Sequence, residues 1–283
     1  MTSKVVLVTD STAYIPRELV EQYDIRVAPQ VLVWGDETYR DGVDIQPDEF
    51  YQRLRTAKVM PTTSQASPQE FQKIFTDITE EGRQALAIVL SADLSGTLTS
   101  VHQAAEMFPG TPIEVVDSRT TAMAMGFLVL EAARAAEQGA SLAECKTLVE
   151  EARQKTGVIF AVDTLEFLHR GGRIGGGARL LGTALNLKPI LEVSSGHIEP
   201  VEKVRTRKKS LTRLVELICD RVDGQRPVHL ASLHANAPEE AQQLLEQAKQ
   251  EFETVETVYS TVSPVVGTHA GPGTVGMAYL AGM

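Results

Sequence analysis

Apolar runs alternate with helix-period segments from the first residues onward, the pattern that βαβ architecture leaves in a sequence. Short runs rich in β-branched residues predict strands over 4–9, 26–34, 85–90 and 112–117. Amphipathic spacing predicts helices over 16–23, 47–56, 68–80, 96–107, 121–138 and 141–155. The fifth of these is rich in Ala and Leu and reads as a buried helix. Asp10 and Ser11 close the first strand, at the carboxyl edge of a parallel sheet, where open α/β folds place their ligands.

After Lys155-Thr-Gly157 the texture changes. A strand is predicted over 158–162, a Gly-rich stretch follows at 171–177, and Leu187–Val193 pairs with Ile198–Val204 as a β-hairpin around Ser195-Gly196. A helix over 206–223, a strand over 228–233, a helix over 238–251, a strand over 255–262 and a closing helix from about 273 complete the expected order. No solenoid-period repeat and no low-complexity linker interrupts it. The reading is a two-domain α/β protein: a mostly parallel N-terminal sheet flanked by helices over 1–157, a second α/β domain over 158–283, and a cleft between them suited to a ligand.

Composition narrows the function classes. At 283 residues with 43% hydrophobic content the chain buries a real core and is not a disordered tail. Lys and Arg number 27 against 37 Asp and Glu, a net charge of -10 that repels phosphate backbones and anionic headgroups. Nucleic acid binding and polybasic membrane docking are therefore not expected, and no stable membrane insertion is expected either. The first ten residues carry one lysine and then a short β-branched run, too short for a signal h-region or a membrane span, so a cytoplasmic location is expected. Cys145 and Cys219 lie far apart with no C-x-x-C spacing and read as structural thiols. No histidine pair has metal-ligand spacing, so neither a metal nor another cofactor is expected.

The candidate chemistry lies in hydroxyl-rich, glycine-punctuated turns: Thr9-Asp-Ser-Thr12, Pro61-Thr-Thr-Ser-Gln65, Ser91-Ala-Asp-Leu-Ser-Gly-Thr97 and Thr268-His-Ala-Gly-Pro-Gly-Thr274. Ser95-Gly96-Thr97 follows a strand and opens a helix, so its amides and hydroxyls suit an anionic oxygen, a carboxylate or a phosphate. Simple N-capping is the alternative. His269 reads as a loop histidine ahead of the terminal helix. Arg170-Gly-Gly-Arg-Ile-Gly-Gly-Gly177 lacks the phosphate-loop lysine and reads as a bend with two surface arginines, with nucleotide binding as its minor alternative. Ser95, His269 and either Asp93 or Asp117 offer the parts of a hydrolase or transferase for a small anionic substrate, without a G-x-S-x-G elbow. The basic run Lys203–Lys209 is a solvated face or a docking patch for an acidic partner.

Taken together, Val8-Thr-Asp-Ser-Thr-Ala13, Pro61-Thr-Thr-Ser-Gln65, Leu94-Ser-Gly-Thr97, Val116-Asp-Ser118, Gly171-Gly-Arg-Ile174, Lys203-Val-Arg-Thr206 and Thr268-His-Ala-Gly-Pro-Gly-Thr-Val-Gly276 closely resemble the DegV family in order and spacing, over essentially the whole chain. The resemblance implies a non-catalytic carrier that binds one long-chain fatty acid, such as palmitate or oleate, between two domains. In many bacteria such a protein presents the acid to a fatty-acid kinase. Carried over residue by residue, the carboxylate-binding hydroxyls fall on Thr63 and on Ser95, with Gly96 in the same turn; the head-group histidine falls on His269, and the kinase-docking arginine on Arg205. Asp93 departs from the pattern of many relatives, and beside a carboxylate it either takes a raised pKa or points away. Met123, Met125, Phe127, Leu128 and Leu130 either line the tail or form plain core. Burying about fifteen methylenes at roughly 0.8 kcal/mol each is worth on the order of 10 kcal/mol before association costs.

Overall fold

The computed structural model describes residues 4–180 and 187–283, so the first three residues of the leading run lie outside the described residues. The chain begins with β1 (Val5–Asp10), a single 3-10 turn at Ser11–Ala13, α1 (Arg17–Gln22), β2 (Arg26–Ala28), β3 (Val31–Trp34) and β4 (Glu37–Arg40). It continues through α2 (Pro47–Leu54), β5 (Thr62–Ser64), α3 (Pro68–Glu80), β6 (Gln84–Val89), α4 (Thr97–Ala105), β7 (Ile113–Asp117), α5 (Ala122–Glu137) and α6 (Leu142–Ala152). The remainder supplies β8 (Thr156–Ala161), α7 (Glu166–Arg170), β9 (Lys188–Ser194), β10 (His197–Val204), α8 (Arg207–Val222), β11 (Val228–His234), α9 (Pro238–Glu251), β12 (Thr254–Thr261), α10 (Pro264–Ala270) and β13 (Val275–Ala281).

The first sheet, ordered β2-β1-β6-β7, is parallel throughout. Every residue of β1 is buried. That is what a strand covered on both faces requires, and it is why the sequence reads as an unbroken apolar run instead of an alternating one. On α3, Ser67 accepts a hydrogen bond from the Glu70 N–H, Pro68 occupies the first turn, and Phe71, Phe75 and Ile78 form the buried stripe. The single strand expected over 26–34 is two strands. Pro29 has no N–H for a ladder, so the chain leaves the first sheet after Ala28. Residues Val31–Trp34 join a small antiparallel sheet ordered β4-β3-β5, in which Leu32 pairs with Thr63.

The second sheet is ordered β10-β9-β8-β13-β11-β12 and is antiparallel except for the parallel β11–β12 pair. The expected hairpin is β9–β10, turning through Ser195 (φ 50) and Gly196 (φ 92), both left-handed as a tight hairpin requires. The closing helix expected from about 273 is a correction: Val275–Ala281 is β13, paired on one side with β8 and on the other with β11. Its Ala, Met and Leu residues tolerate a helix, but two ladders and near-complete burial override that local preference. Gly276 fits the strand, since a Cβ there would lie 2.8 Å from the Phe160 Cβ on β8.

Helix α5 joins the layers. It packs on β1 and β6 of the first sheet and on β8, β11 and β13 of the second. A helix apolar on all sides is one with partners on all sides, as the sequence of α5 indicates. Met123, Met125, Phe127, Leu128 and Leu130 are fully buried in this shared core. They are plain core, and the cavity described next touches this segment only at Thr121 and Ala122. Cys145 is buried and Cys219 half-buried, both as free thiols.

Candidate functional site

A cavity opens between the carboxyl ends of the parallel strands and the second sheet, with about 1040 Å³ of free space when its open mouth is included. Its apolar wall comes from Leu90 after β6, Val158 and Phe160 on β8, Val193 on β9, Leu233 on β11 and Val265 on α10. The cavity also takes in Thr63, Gln65, Ser95, Arg173 and His269, and these polar groups are neighbours. The Gln65 side chain lies against Gly96, where a Cβ would be 3.0 Å from its Nε2. The Arg173 Nε donates to the Leu94 carbonyl at 3.0 Å, beside Ser95.

Thr63 is placed by the β3–β5 ladder, and His269 by the last turn of α10. The loop expected at His269 is therefore a helix. Ser263 at its N-cap, Pro264 in its first turn and Gly271 (φ 81) at its end are the local signals that set it. Thr63 Oγ1 and His269 Nε2 are 2.7 Å apart. His269 Nδ1 is buried without a hydrogen-bond partner. It faces the Cα of Gly171 so closely that a Cβ there would collide with it. The unpartnered Nδ1 fits the tautomer with the ring proton on Nε2, in which Nε2–H donates to Thr63 Oγ1. The Thr63 O–H is then left to donate into the cavity. Burial, with the positive charge of Arg173 second, pushes the His269 pKa down to about 4, so the ring is neutral.

A second chain of hydrogen bonds sets Ser95. Gln30 Oε1 accepts from the Ala66 N–H at 3.0 Å, which fixes the amide so that Nε2 donates to Thr97 Oγ1 at 2.9 Å. Thr97 Oγ1 lies 2.9 Å from Ser95 Oγ and 3.3 Å from Gln30 Oε1, so Ser95 is its better acceptor. Ser95 Oγ also accepts from the Thr97 N–H at 3.3 Å. The Ser95–Thr97 hydroxyl bond can run in either sense, and with Thr97 as its donor the Ser95 proton is left for the cavity. Two neutral hydroxyl donors thus serve one cavity, with an arginine beside them, and an anionic oxygen is the group they suit.

Several sequence expectations change. Arg173 is not a surface arginine of a loose bend: besides its bond to Leu94 it donates from Nη1 to the Gly171 carbonyl at 2.7 Å and lines the cavity. Arg170 is the exposed one and pairs with Glu166. Asp93 points away from the hydroxyls to His197 Nε2 at 3.3 Å, and Ser91 Oγ donates to the Gly196 carbonyl at 2.9 Å, fastening the hairpin tip to the first half. The triad does not assemble. Asp117 accepts from the Arg119 N–H, Ser95 bonds Thr97, and no carboxylate stands behind His269. Arg205 is exposed between β10 and α8, while Arg207 of the same basic run pairs with Glu240 at 2.6 Å. Gln30, Gly171 and Arg173 were not legible as site residues. Gln30 and Gly171 act only through a partner distant in sequence, and Arg173 stood in a motif with a blander reading. Among the described residues no group of three or more His, Cys, Asp or Glu is placed to hold a metal, and no helix is long and apolar enough to cross a membrane.

Comparison with known proteins identifies the family and the fold. A family model described as an uncharacterised protein of the DegV family matches residues 4–282. A DegV domain-containing protein of Streptomyces coelicolor is 39% identical over 279 residues, covering 98% of each chain. Protein DegV of Bacillus subtilis is 35% identical over 277 residues, covering 97% of this chain and 98% of its own. Among solved structures, a fatty-acid-binding DegV family protein from Thermus thermophilus superposes with a TM-score of 0.93 at 34% identity, covering 98% of this chain and 99% of its own. DegV of Bacillus subtilis, a fatty acid binding protein, gives 0.89 at 33% identity, with 99% of each chain covered.

Proposed function

The chain belongs to the DegV family, and on that premise we propose that it binds one long-chain fatty acid, with the tail along the apolar wall and the carboxylate on Thr63 and Ser95. The observation that carries this reading is the convergence of two neutral hydroxyls on one cavity, Thr63 Oγ1 held at 2.7 Å by His269 and Ser95 Oγ held at 2.9 Å by Thr97, with an apolar wall beyond them. A carboxylate leaving water needs such donors where it ends up. In this reading the tail supplies affinity and the head supplies orientation. Gly96 leaves room beside Ser95 for Gln65, and His269 holds Thr63 through a 2.7 Å hydrogen bond.

Hydroxyls, unlike a bidentate cation clamp, leave the acid group open to a second protein. We propose that the fatty acid is presented to a fatty-acid kinase, that Arg205 on the exposed β10–α8 turn takes part in docking it, and that this chain contributes no catalytic group. The carrier would be cytoplasmic and would consist of two domains, 1–157 and 158–283, with the ligand in the cleft between them. The missing carboxylate behind His269 supports this over a hydrolase reading.

The test is palmitate titration of wild type and of Thr63→Ala, Ser95→Ala and Arg205→Ala. Each hydroxyl variant should bind about tenfold or more weakly, as expected for loss of a hydrogen bond to a charged group. Arg205→Ala should bind palmitate normally and slow only phosphate transfer by the kinase. Hydroxyl variants with wild-type affinity would remove Thr63 and Ser95 from the site.

A further inference from the structure

Asp41, directly after β4, is almost wholly buried and has no part in the head-group contacts described so far. Its carboxylate accepts from Ser11 Oγ at 2.7 Å and from the Val265 N–H at 3.4 Å, and Ser263 adds a further side-chain hydrogen bond. Ser11 Oγ in turn accepts from the Gln30 N–H at 3.0 Å, while the Asp41 N–H donates to the Gln30 carbonyl at 2.9 Å. The backbone of Gln30 is therefore held on one side by Asp41 and on the other by Ser11, which Asp41 itself binds. From Gln30 the side chain reaches Thr97 and, through it, Ser95. Val265 and Ser263 belong to the first turn of α10, whose last turn carries His269 and, through it, Thr63.

We infer that Asp41 is the positioning residue of the head-group site, the one group from which both hydroxyl arms are set. One arm runs through Ser11 and Gln30 to Ser95, and the other through the start of α10 to His269 and Thr63. Asp41 never touches the ligand. Its effect falls on how well the two donors converge, so it discriminates an acid head from a neutral one and leaves tail burial alone. The inference rests on the fatty-acid reading above.

The surroundings give the arrangement a pH response. Asp10 faces Asp41 from the end of β1, Tyr14 from beyond the 3-10 turn and Tyr51 from α2, while α10 presents Ser263 and the Val265 N–H. Burial, reinforced by the charge of Asp10 and opposed by the hydrogen bonds from Ser11, Ser263 and Val265, lifts the carboxyl to about 7. As an ionised pure acceptor, Asp41 lets Ser11 donate to it and accept from Gln30. Protonation puts a hydrogen on an oxygen that has only donors around it and disturbs that order.

The experiment compares palmitate with 1-hexadecanol, equal in chain length and different in head, on wild type, Asp41→Asn and Ser11→Ala. Asp41→Asn should weaken palmitate about tenfold and leave hexadecanol within about twofold, with Ser11→Ala following in the same direction. In wild type the preference for the acid should rise between about pH 6 and about pH 8, and in Asp41→Asn it should stay flat. Should Asp41→Asn fail to fold, Ser11→Ala, which keeps the carboxyl and cuts the link to Gln30, decides the matter. Folded variants that bind palmitate as wild type does, or that lose both ligands equally, overturn the inference. Wild type that binds neither ligand overturns the fatty-acid reading and this inference with it.

Discussion

Thr63 and His269, 206 positions apart, meet through a 2.7 Å hydrogen bond between Oγ1 and Nε2. One partner sits on a three-residue strand of a small antiparallel sheet and the other on the last turn of a helix that leads into β13. The Thr63 end of the site is thus completed by a contact between segments far apart in the chain, whereas the Ser95 network of Gln30, Ala66 and Thr97 lies within the first hundred residues.

Gly171 is the backstop of that pair. Replacing it with alanine sets a methyl against His269 Nδ1, and no rotation of a Cβ relieves the collision. Gly171→Ala should cost about 1–3 kcal/mol of stability, the usual range for overpacking a tight site, and should weaken palmitate binding beyond that of a folded control. Thermal melts and palmitate titration check it. Wild-type values in both would mean that the ring does not depend on this contact.

Two titratable groups near the site, the part-buried His269 and the buried Asp41, work against each other as pH falls. His269 titrates near 6.5 when unfolded and at about 4 when folded, so its contribution to stability is whole above 6.5 and is lost as the pH falls toward 4. Asp41 moves the opposite way, from 3.8 to about 7, so its contribution is whole below 3.8 and is lost as the pH rises through 7. Wild type should accordingly change little between about pH 7 and about pH 4.5 on account of these two groups. His269→Asn removes one side of the balance, and the advantage of wild type over it should shrink by about 2–3 kcal/mol across that interval. Urea unfolding at both pH values measures the difference, and a constant gap would contradict the buried neutral ring.

The hairpin tip fastens the second sheet over the cavity. Gly196, at φ 92, leaves no room for a side chain, since a Cβ would lie 2.6 Å from Asp93 Oδ2 and 2.7 Å from Ser91 Oγ. Val193 and Ile198 on either side of the turn line the cavity. Gly196→Ala should therefore release bound palmitate several-fold faster, with a stability loss of about 1–3 kcal/mol from strain and the broken Ser91 bond. Stopped-flow displacement of a fluorescent fatty acid reads the rate. Unchanged release would show that the tip is not part of the closure.

Much of the fold was legible because the helices carry strong local signals: the Ser67-Pro68 start of α3, the Ser141–Glu144 capping box of α6 and the all-apolar α5. The terminal segment was not. In Val275–Ala281 the residues permit a helix, and only pairing with strands more than forty residues away makes it a strand. The site divides in the same way. Thr63, Ser95 and His269 stand in turns whose composition marks them and whose order matches a family. Gln30 and Asp41 act through contacts between distant segments, for which a single sequence has no periodic signature, and Gly171 and Arg173 stand in a family motif that by itself assigned them no contact. Asp93 shows the limit from the other direction: adjacent to the site in sequence, it faces His197 on the opposing hairpin.

The central claim is that a long acyl chain occupies this cavity with its acid end on Thr63 and Ser95. Solvent extraction of the purified protein, followed by mass spectrometry for quantification, tests it most directly. The account predicts close to one long-chain fatty acid per chain in wild type and substantially less in the Thr63→Ala, Ser95→Ala double variant. Wild-type protein that yields no fatty acid, and that stays empty after incubation with palmitate or oleate, would contradict it.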